Sequence, residues 1–403
     1  MRATTMPQVG ARNELVVLRA IRVSPEGVDQ SSLMERCGLS RQAVSQITRR
    51  LIERGLVRAA PVHTNRPGKP ALSMRVEPRA MLAAGAHLDP AHITVTVVDM
   101  LARPILKRFL APPCQDPAAD VERIGAALDE MLHELGAAVP DGQDEQVHSG
   151  IQGIGVAVPG GIDAAHGRML DPPWLPGWRG VPLLDLIRER TGLPAVLDKD
   201  TNAALTAECW PGRFAAQETV LYLYVGAGVG SAVAGDGTIH RGSTVQAGEI
   251  GHLPTGMDDT RCACGRMSCL MLYTDMDRFL EKVRRAGVPV ESHARTTTAL
   301  DLVQQRARGG DDVARRLIEE YGTALGEAAR TLISIHDPHR VVIGGPYWGY
   351  LAEHATPQVA RGARRSRGGS HEVSVASSTF GDDVGAIGAA TLFLERKLSP
   401  ATT

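Results

Sequence analysis

The sequence predicts an α/β protein: a small N-terminal winged helix-turn-helix module followed by a larger body in which strands alternate with helices. Three observations carry this reading. The charge is divided, because residues 1–80 hold 14 Lys and Arg against 6 Asp and Glu while the remainder holds 30 against 39, so a net charge of −1 conceals a basic head on an acidic body. The head shows helix, Gly turn, polar-faced helix and basic hairpin in succession. Beyond residue 80, apolar runs of strand length end in turns that lead into periodic helical segments.

A chain of 403 residues, 43 % hydrophobic and 22 % charged, can bury a large core, and its 43 Gly and 25 Pro lack the period of collagen. No run approaches the roughly 18 consecutive apolar residues of a membrane helix, and Met1–Thr5 lacks the apolar core of a signal peptide. The expected setting is the cytoplasm, away from membranes.

In the head, Leu15, Val16, Leu18, Ala20 and Ile21 recur at helical spacings, with Arg12, Arg19 and Arg22 outside the stripe. Ser31 or Ser32 is expected to cap a second helix through Leu33, Met34 and Cys37, ended by Gly38. Ser40 caps a third, Arg41 to about Arg54, whose Val44, Ile47 and Leu51 face inward and leave Arg41, Gln42, Ser45, Gln46 and Arg49 outward. Arg can read guanine, Gln can read adenine, and Ser40 with the helix N-terminus can hold a phosphate, so this face suits a duplex major groove. Leu56–Arg58 and Leu72–Val76 flank a basic tip whose Arg66 and Lys69 suit the DNA backbone or minor groove. The plainer alternative is a three-helix bundle with a solvated polar face.

In the body, Gly85–Met100 reads as a strand of a half-buried sheet, from the alternation of Ile93, Val95, Val97 and Val98. Val121–Leu135 is a helix, and Ile151–Val158 a strand ending at Pro159, Gly160 and Gly161, where ligands often bind. Ala195–Leu197 is a strand leading to Asp198–Asn202 and an Ala-rich helix. A second lobe starts near Thr219 with the strand Val220–Tyr224, the turn Gly226–Ser231 and a strand to Ala234; that turn suits either a phosphate cradle or a hairpin. A helix from about Ala314 to His336 precedes the strand Val341–Ile343, and Asp382–Lys397 is a helix able to return to the first lobe. The expected division is 1–80 for the head, 81–215 with 382–398 for lobe 1, and 216–381 for lobe 2.

His252, Cys262, Cys264 and Cys269 supply three thiolates and one imidazole, a complete tetrahedral zinc shell with no open position, which predicts a structural metal in the loop 252–269. Reduced cysteines sharing a Gly-rich loop are the alternative. Cys37, Cys114 and Cys209 read as packing residues.

Gly153–Gly160, Asp200–Ala204, Ala247–His252 and the cysteine run resemble, in order and spacing, the signature of the ROK family of repressors and sugar kinases; Gly10–Asn13 and the winged head resemble its repressor branch. The resemblance runs from about Val9 to Leu394. It implies a two-lobed actin-like ATPase fold, a zinc-ordered loop beside a sugar pocket, and sugar contacts at Gly160, Gly161, Asp200, Glu249 and His252. Asp200 matches the general base of the kinases, although it could merely cap its helix.

ROK kinases carry Asp-x-Gly-Gly-Thr in the first hairpin of lobe 1, where this chain has His87-Leu88-Asp89-Pro90-Ala91. His87 replaces the carboxylate that would organise magnesium, Pro90 has no N–H for a phosphate oxygen, and Asp89 adds a negative charge; ATP binding and kinase turnover are therefore not expected. Lys199 stands where Asn is usual and Met271 where Glu is usual, which points towards a phosphorylated or acidic sugar, or to weakened recognition. The expectation is a sugar-responsive regulator, most simply a repressor, acting as a homodimer or homotetramer on an inverted-repeat operator in double-stranded DNA.

Overall fold

The computed structural model describes residues 6–62, 71–137, 150–365 apart from Pro173, Arg213 and Ala216, and 372–398. The head comprises α1 (Met6–Arg22), β1 (Val28–Asp29), α2 (Gln30–Cys37), α3 (Arg41–Glu53), β2 (Val57–Val62) and β3 (Ala71–Val76). Its three-stranded sheet has the order β1-β3-β2, antiparallel throughout, which makes β2 and β3 the wing hairpin. Ser40 caps α3 by accepting from the Ala43 N–H at 3.3 Å, as the sequence predicts. The cap of α2 is Asp29, not Ser31 or Ser32: its Oδ1 accepts from the Ser32 N–H at 2.9 Å while its backbone pairs with Ser73 in β3. Gly38 ends α2 at φ +63°, the left-handed region.

Lobe 1 contains β4 (Leu82–Asp89), β5 (His92–Val98), β6 (Pro104–Leu110), α4 (Pro117–Ala137), β7 (Ile151–Val158), the short pair β8 (Ile162–Asp163) and β9 (Arg168–Met169), α5 (Leu183–Thr191), β10 (Ala195–Lys199) and α6 (Asp200–Cys209). The sheet order is β10-β7-β4-β5-β6, with β10, β7 and β4 parallel and β4-β5-β6 an antiparallel meander. The strand expected within Gly85–Met100 is β5, buried on both faces rather than half-buried, and His87–Ala91 lies at the turn of the β4–β5 hairpin, where the family resemblance puts it. One face packs against α4 and the other against the last helix, α12 (Val384–Leu398).

Lobe 2 contains β11 (Val220–Val225), β12 (Val229–Gly235), β13 (Thr238–Ile239), α7 (Met271–Thr274), α8 (Met276–Arg285), α9 (Thr296–Arg308), α10 (Asp312–His336), β14 (Arg340–Gly344), α11 (Trp348–Arg364) and β15 (Ser374–Ser377), in the sheet order β13-β12-β11-β14-β15. The chain then returns to lobe 1 as α12 (Val384–Leu398), wedged between the β4–β7 face and α6. The close approach explains two glycines. A Cβ on Gly155 would lie 1.7 Å from the Ala389 carbonyl oxygen, and one on Gly388 2.0 Å from that of Ala203. The glycines of the Gly153–Val158 run therefore admit a helix.

The apolar core of the head continues into the body beneath α1, where Val17, Leu18 and Ile21 join a cluster containing Trp210, Leu392 and Phe393. The Arg22 guanidinium lies 3.4 Å from the centroid of the Trp210 ring, and its Nε donates to the Trp210 carbonyl at 3.1 Å. Burial, with Arg19 adding like-charge repulsion, lowers Arg22 to about 9. A cavity of about 300 Å³ beside this contact is lined by Arg12, Arg19 and Arg22 from α1 and by Thr206, Cys209, Trp210 and Glu395 from the body.

Candidate functional site

On α3, Ser40, Arg41, Gln42, Gln46 and Arg49 are exposed and Ser45 is half-buried, whereas Val44, Ile47, Thr48 and Leu51 are buried. Arg50 and Arg54, both exposed, pair with Glu14 of α1 across the surface between the two helices. The outward row is left for a partner. Arg66 and Lys69 lie outside the described residues.

In the body the two lobes meet where the turn of the β4–β5 hairpin faces β11. His87 on β4 is buried, and its Nε2 lies 3.2 Å from the Tyr224 hydroxyl of β11. Burial lowers His87 to about 3, so the ring is neutral. Asp89, also buried, accepts at Oδ1 from the Ala91 N–H (2.9 Å) and from the Tyr347 hydroxyl of lobe 2 (3.2 Å). Burial raises its carboxyl. Two tyrosines of lobe 2 thus engage the segment His87–Ala91.

Beside these contacts is a cavity of about 40 Å³, lined by Asp89, Gly160, Trp174, Lys199, Asp200, Thr201, Glu249 and the glycine turn between β11 and β12. That turn is a hairpin: β11 and β12 pair antiparallel and the Gly226 N–H donates to the Gly228 carbonyl. Asp200 opens α6; burial, opposed by Lys199, pushes its carboxyl up to about 7. The Thr201 hydroxyl is buried and has no hydrogen-bond partner among the described residues. Lys199 is buried, and its Nζ is held by Glu249 Oε1 at 2.5 Å and the Ala247 carbonyl at 3.1 Å. Asp198 anchors the same loop by accepting from Arg241 Nε at 2.7 Å and from Asn202 Nδ2 at 2.7 Å.

Gly160, Lys199, Asp200 and Glu249 are therefore brought together. Gly161 and His252 do not line this cavity: Gly161 abuts the Gln246 amide, and His252 is exposed in the cysteine loop. Met271 opens α7, away from the cavity lining. The ammonium of Lys199 is engaged by Glu249, so it gives no free cation for a phosphorylated sugar. Trp174, Thr201, Tyr224 and Tyr347 are additions that residue pattern alone did not single out; the one cue was the Trp174–Trp178 pair in a Pro-rich loop.

The ligand atoms of His252, Cys262, Cys264 and Cys269 all lie within 4.8 Å of one another and can hold a metal ion. Cys264 Sγ is 3.6 Å from Cys269 Sγ, and Cys262 Sγ is 3.5 Å from His252 Nδ1. A tetrahedral zinc with bonds of about 2.3 Å to sulfur and about 2.0 Å to nitrogen requires separations of about 3.8 and 3.6 Å, so the donors fit.

A winged head with an open recognition helix, carried on a two-lobed body of sugar-kinase type, defines a DNA-binding transcriptional regulator. The ROK family model matches residues 118–396 and a MarR family model matches residues 11–66; the chain belongs to the ROK family. It is 26 % identical to the xylose repressor of Caldicellulosiruptor bescii, over 82 % of both chains. It is 30 % identical to a glucokinase of Halalkalibacterium halodurans, over 62 % of this chain and 78 % of that one. Its fold matches that of a ROK family transcriptional regulator described as a homologue of the Escherichia coli Mlc protein, with a TM-score of 0.74, 19 % identity and coverage of 96 and 97 %.

Proposed function

We propose that this protein is a sugar-responsive repressor of carbohydrate genes in which the interlobe pocket is a sensor and not a kinase site. The observation that carries this reading is the phosphate-facing segment. Tyr224 and Tyr347 engage His87 and Asp89, Pro90 offers no N–H, and a buried carboxyl stands where phosphate charge would lie. The proposed sugar contacts are Gly160, Asp200, Thr201 and Glu249, with Lys199 holding Glu249 in place. The proposed metal is zinc on His252, Cys262, Cys264 and Cys269, which ties together the loop three residues after Glu249 and supplies no chemistry of its own.

Coupling follows from α6. Asp200 opens this ten-residue helix in the pocket, and Trp210, just past its end, lies under Arg22 of the head. A rod about 15 Å long thus joins sensor and head. A sugar that binds one arrangement of the lobes better shifts the spacing of two heads in a homodimer and so releases an inverted-repeat operator. Band-shift titration on operator DNA with and without neutral sugars tests the reading, and unchanged affinity across the panel overturns it. A coupled assay with ATP and the same sugars is expected to show no turnover.

A further inference from the structure

We propose that the sensor pocket takes a neutral two-ring glycoside, the first ring at Asp200 and Thr201 and the second in the chamber behind Trp174. This rests on the sugar-sensor reading above and narrows its ligand to a class.

The chamber has a volume of about 440 Å³, within the range of about 300–1,000 Å³ usual for small-molecule sites, and it adjoins the smaller cavity. Trp174, Pro90 and Ala227 line both. The smaller cavity, about 40 Å³, is well below that range. The half-buried Trp174 stands at the boundary of the two spaces and presents its ring to both. A ligand held at Asp200 and Thr201 therefore has the chamber next to it, across residues that line both spaces.

The linings choose the chemistry. In the small cavity the buried Thr201 hydroxyl lacks a partner among the described residues and the Asp200 carboxyl can accept from hydroxyls, so both suit a polyol. The chamber presents Trp174, Tyr347, Pro90, Pro176 and Met276, flat or apolar surfaces suited to the C–H face of a pyranose or to an aromatic aglycone. Its charged residue is Asp277, and Asp89, Asp200 and Glu249 stand alongside. Among the described lining residues the one cation is Lys199, engaged by Glu249 at 2.5 Å. Phosphorylated sugars and nucleotides would meet carboxylates with no free cation to offset them.

Calorimetry on the full chain tests this with glucose, xylose and N-acetylglucosamine, the corresponding disaccharides cellobiose, xylobiose and chitobiose, their 4-nitrophenyl glycosides, and glucose 6-phosphate. One two-ring glycoside is expected to bind at least about tenfold more tightly than its own monosaccharide and to shift the tryptophan emission. Thr296→Trp, at the half-buried N-terminus of α9, fills the chamber; it should remove that advantage while leaving the monosaccharide within about threefold. Thr296→Leu, a milder filling, should reduce the advantage if the larger substitution disturbs folding. Equal affinity for a monosaccharide and its two-ring derivative, or tighter binding of glucose 6-phosphate, overturns the proposal and leaves the sugar-sensor reading standing. Failure of every sugar to bind overturns both.

Discussion

Asp200 offers a measurement of how strongly the interlobe pocket works against the fold that holds it. Its carboxyl is buried, and desolvation moves it from 3.8 to about 7 even though Lys199 pulls the other way. The folded state therefore holds this proton more tightly than the unfolded state. Below about pH 4 both states are protonated and Asp200 costs nothing; the penalty grows as pH rises and levels off above the folded value. At about 1.4 kcal/mol per tenfold, the gap sets a ceiling of about 4 kcal/mol, of which about 2 kcal/mol develops between pH 5.5 and 8.5. Asp200→Asn keeps the shape and the bond from the Thr201 N–H to Oδ1 at 2.7 Å, but has no proton to lose. The variant is expected to be more stable than the parent, by a margin that widens with pH in denaturation series followed by near-ultraviolet circular dichroism, and to lose sugar binding. A variant less stable by the same amount at every pH would refute the argument, because Asp200 would then serve α6 and not a ligand. A group retained against stability is retained for function.

Cys269→Ser, or exposure to a strong chelator, should remove bound zinc measured by atomic absorption and lower the melting temperature; retained stability after complete removal would show that the loop holds itself. Arg41→Ala and Gln46→Ala should each weaken operator binding by about 1–3 kcal/mol without changing the melting temperature, since both side chains project from α3 into solvent. Arg22→Met should loosen the head by removing the stack on Trp210, worth up to about 2 kcal/mol when desolvated. The ratio of operator affinities with and without sugar should then fall towards one, and an unchanged ratio would place the coupling elsewhere.

Local chemistry was legible. Ser40, the inward stripe of α3, the β7 strand and the cysteine cluster all follow from neighbours within a few residues. The cap of α2 was misplaced because Asp29 is held in position by pairing with Ser73, a contact that spacing does not reveal. The β4–β5 turn is legible through the family resemblance and not through turn residues, because it lacks the usual glycine; the Asp89 side chain, accepting from the Ala91 N–H, makes the bend instead. The two-sided burial of β5 depends on α12, nearly 300 residues further on. The site divides in the same way: Asp200 and Glu249 sit in recognisable local patterns, whereas Trp174, Tyr224 and Tyr347 become site residues only when two lobes are assembled.

The return of α12 to lobe 1 also fixes the order in which the body can be completed during synthesis. The first sheet begins at residue 82, but one of its faces stays open until residues 384–398 emerge, so lobe 2 is made in full while lobe 1 still waits. Closing that face is a contact of very long sequence separation, the kind that forms slowly. Until then the apolar side of β4 and β7 is available to chaperones or to aggregation, and so is the face of α1 that completes its packing against Leu392 and Phe393.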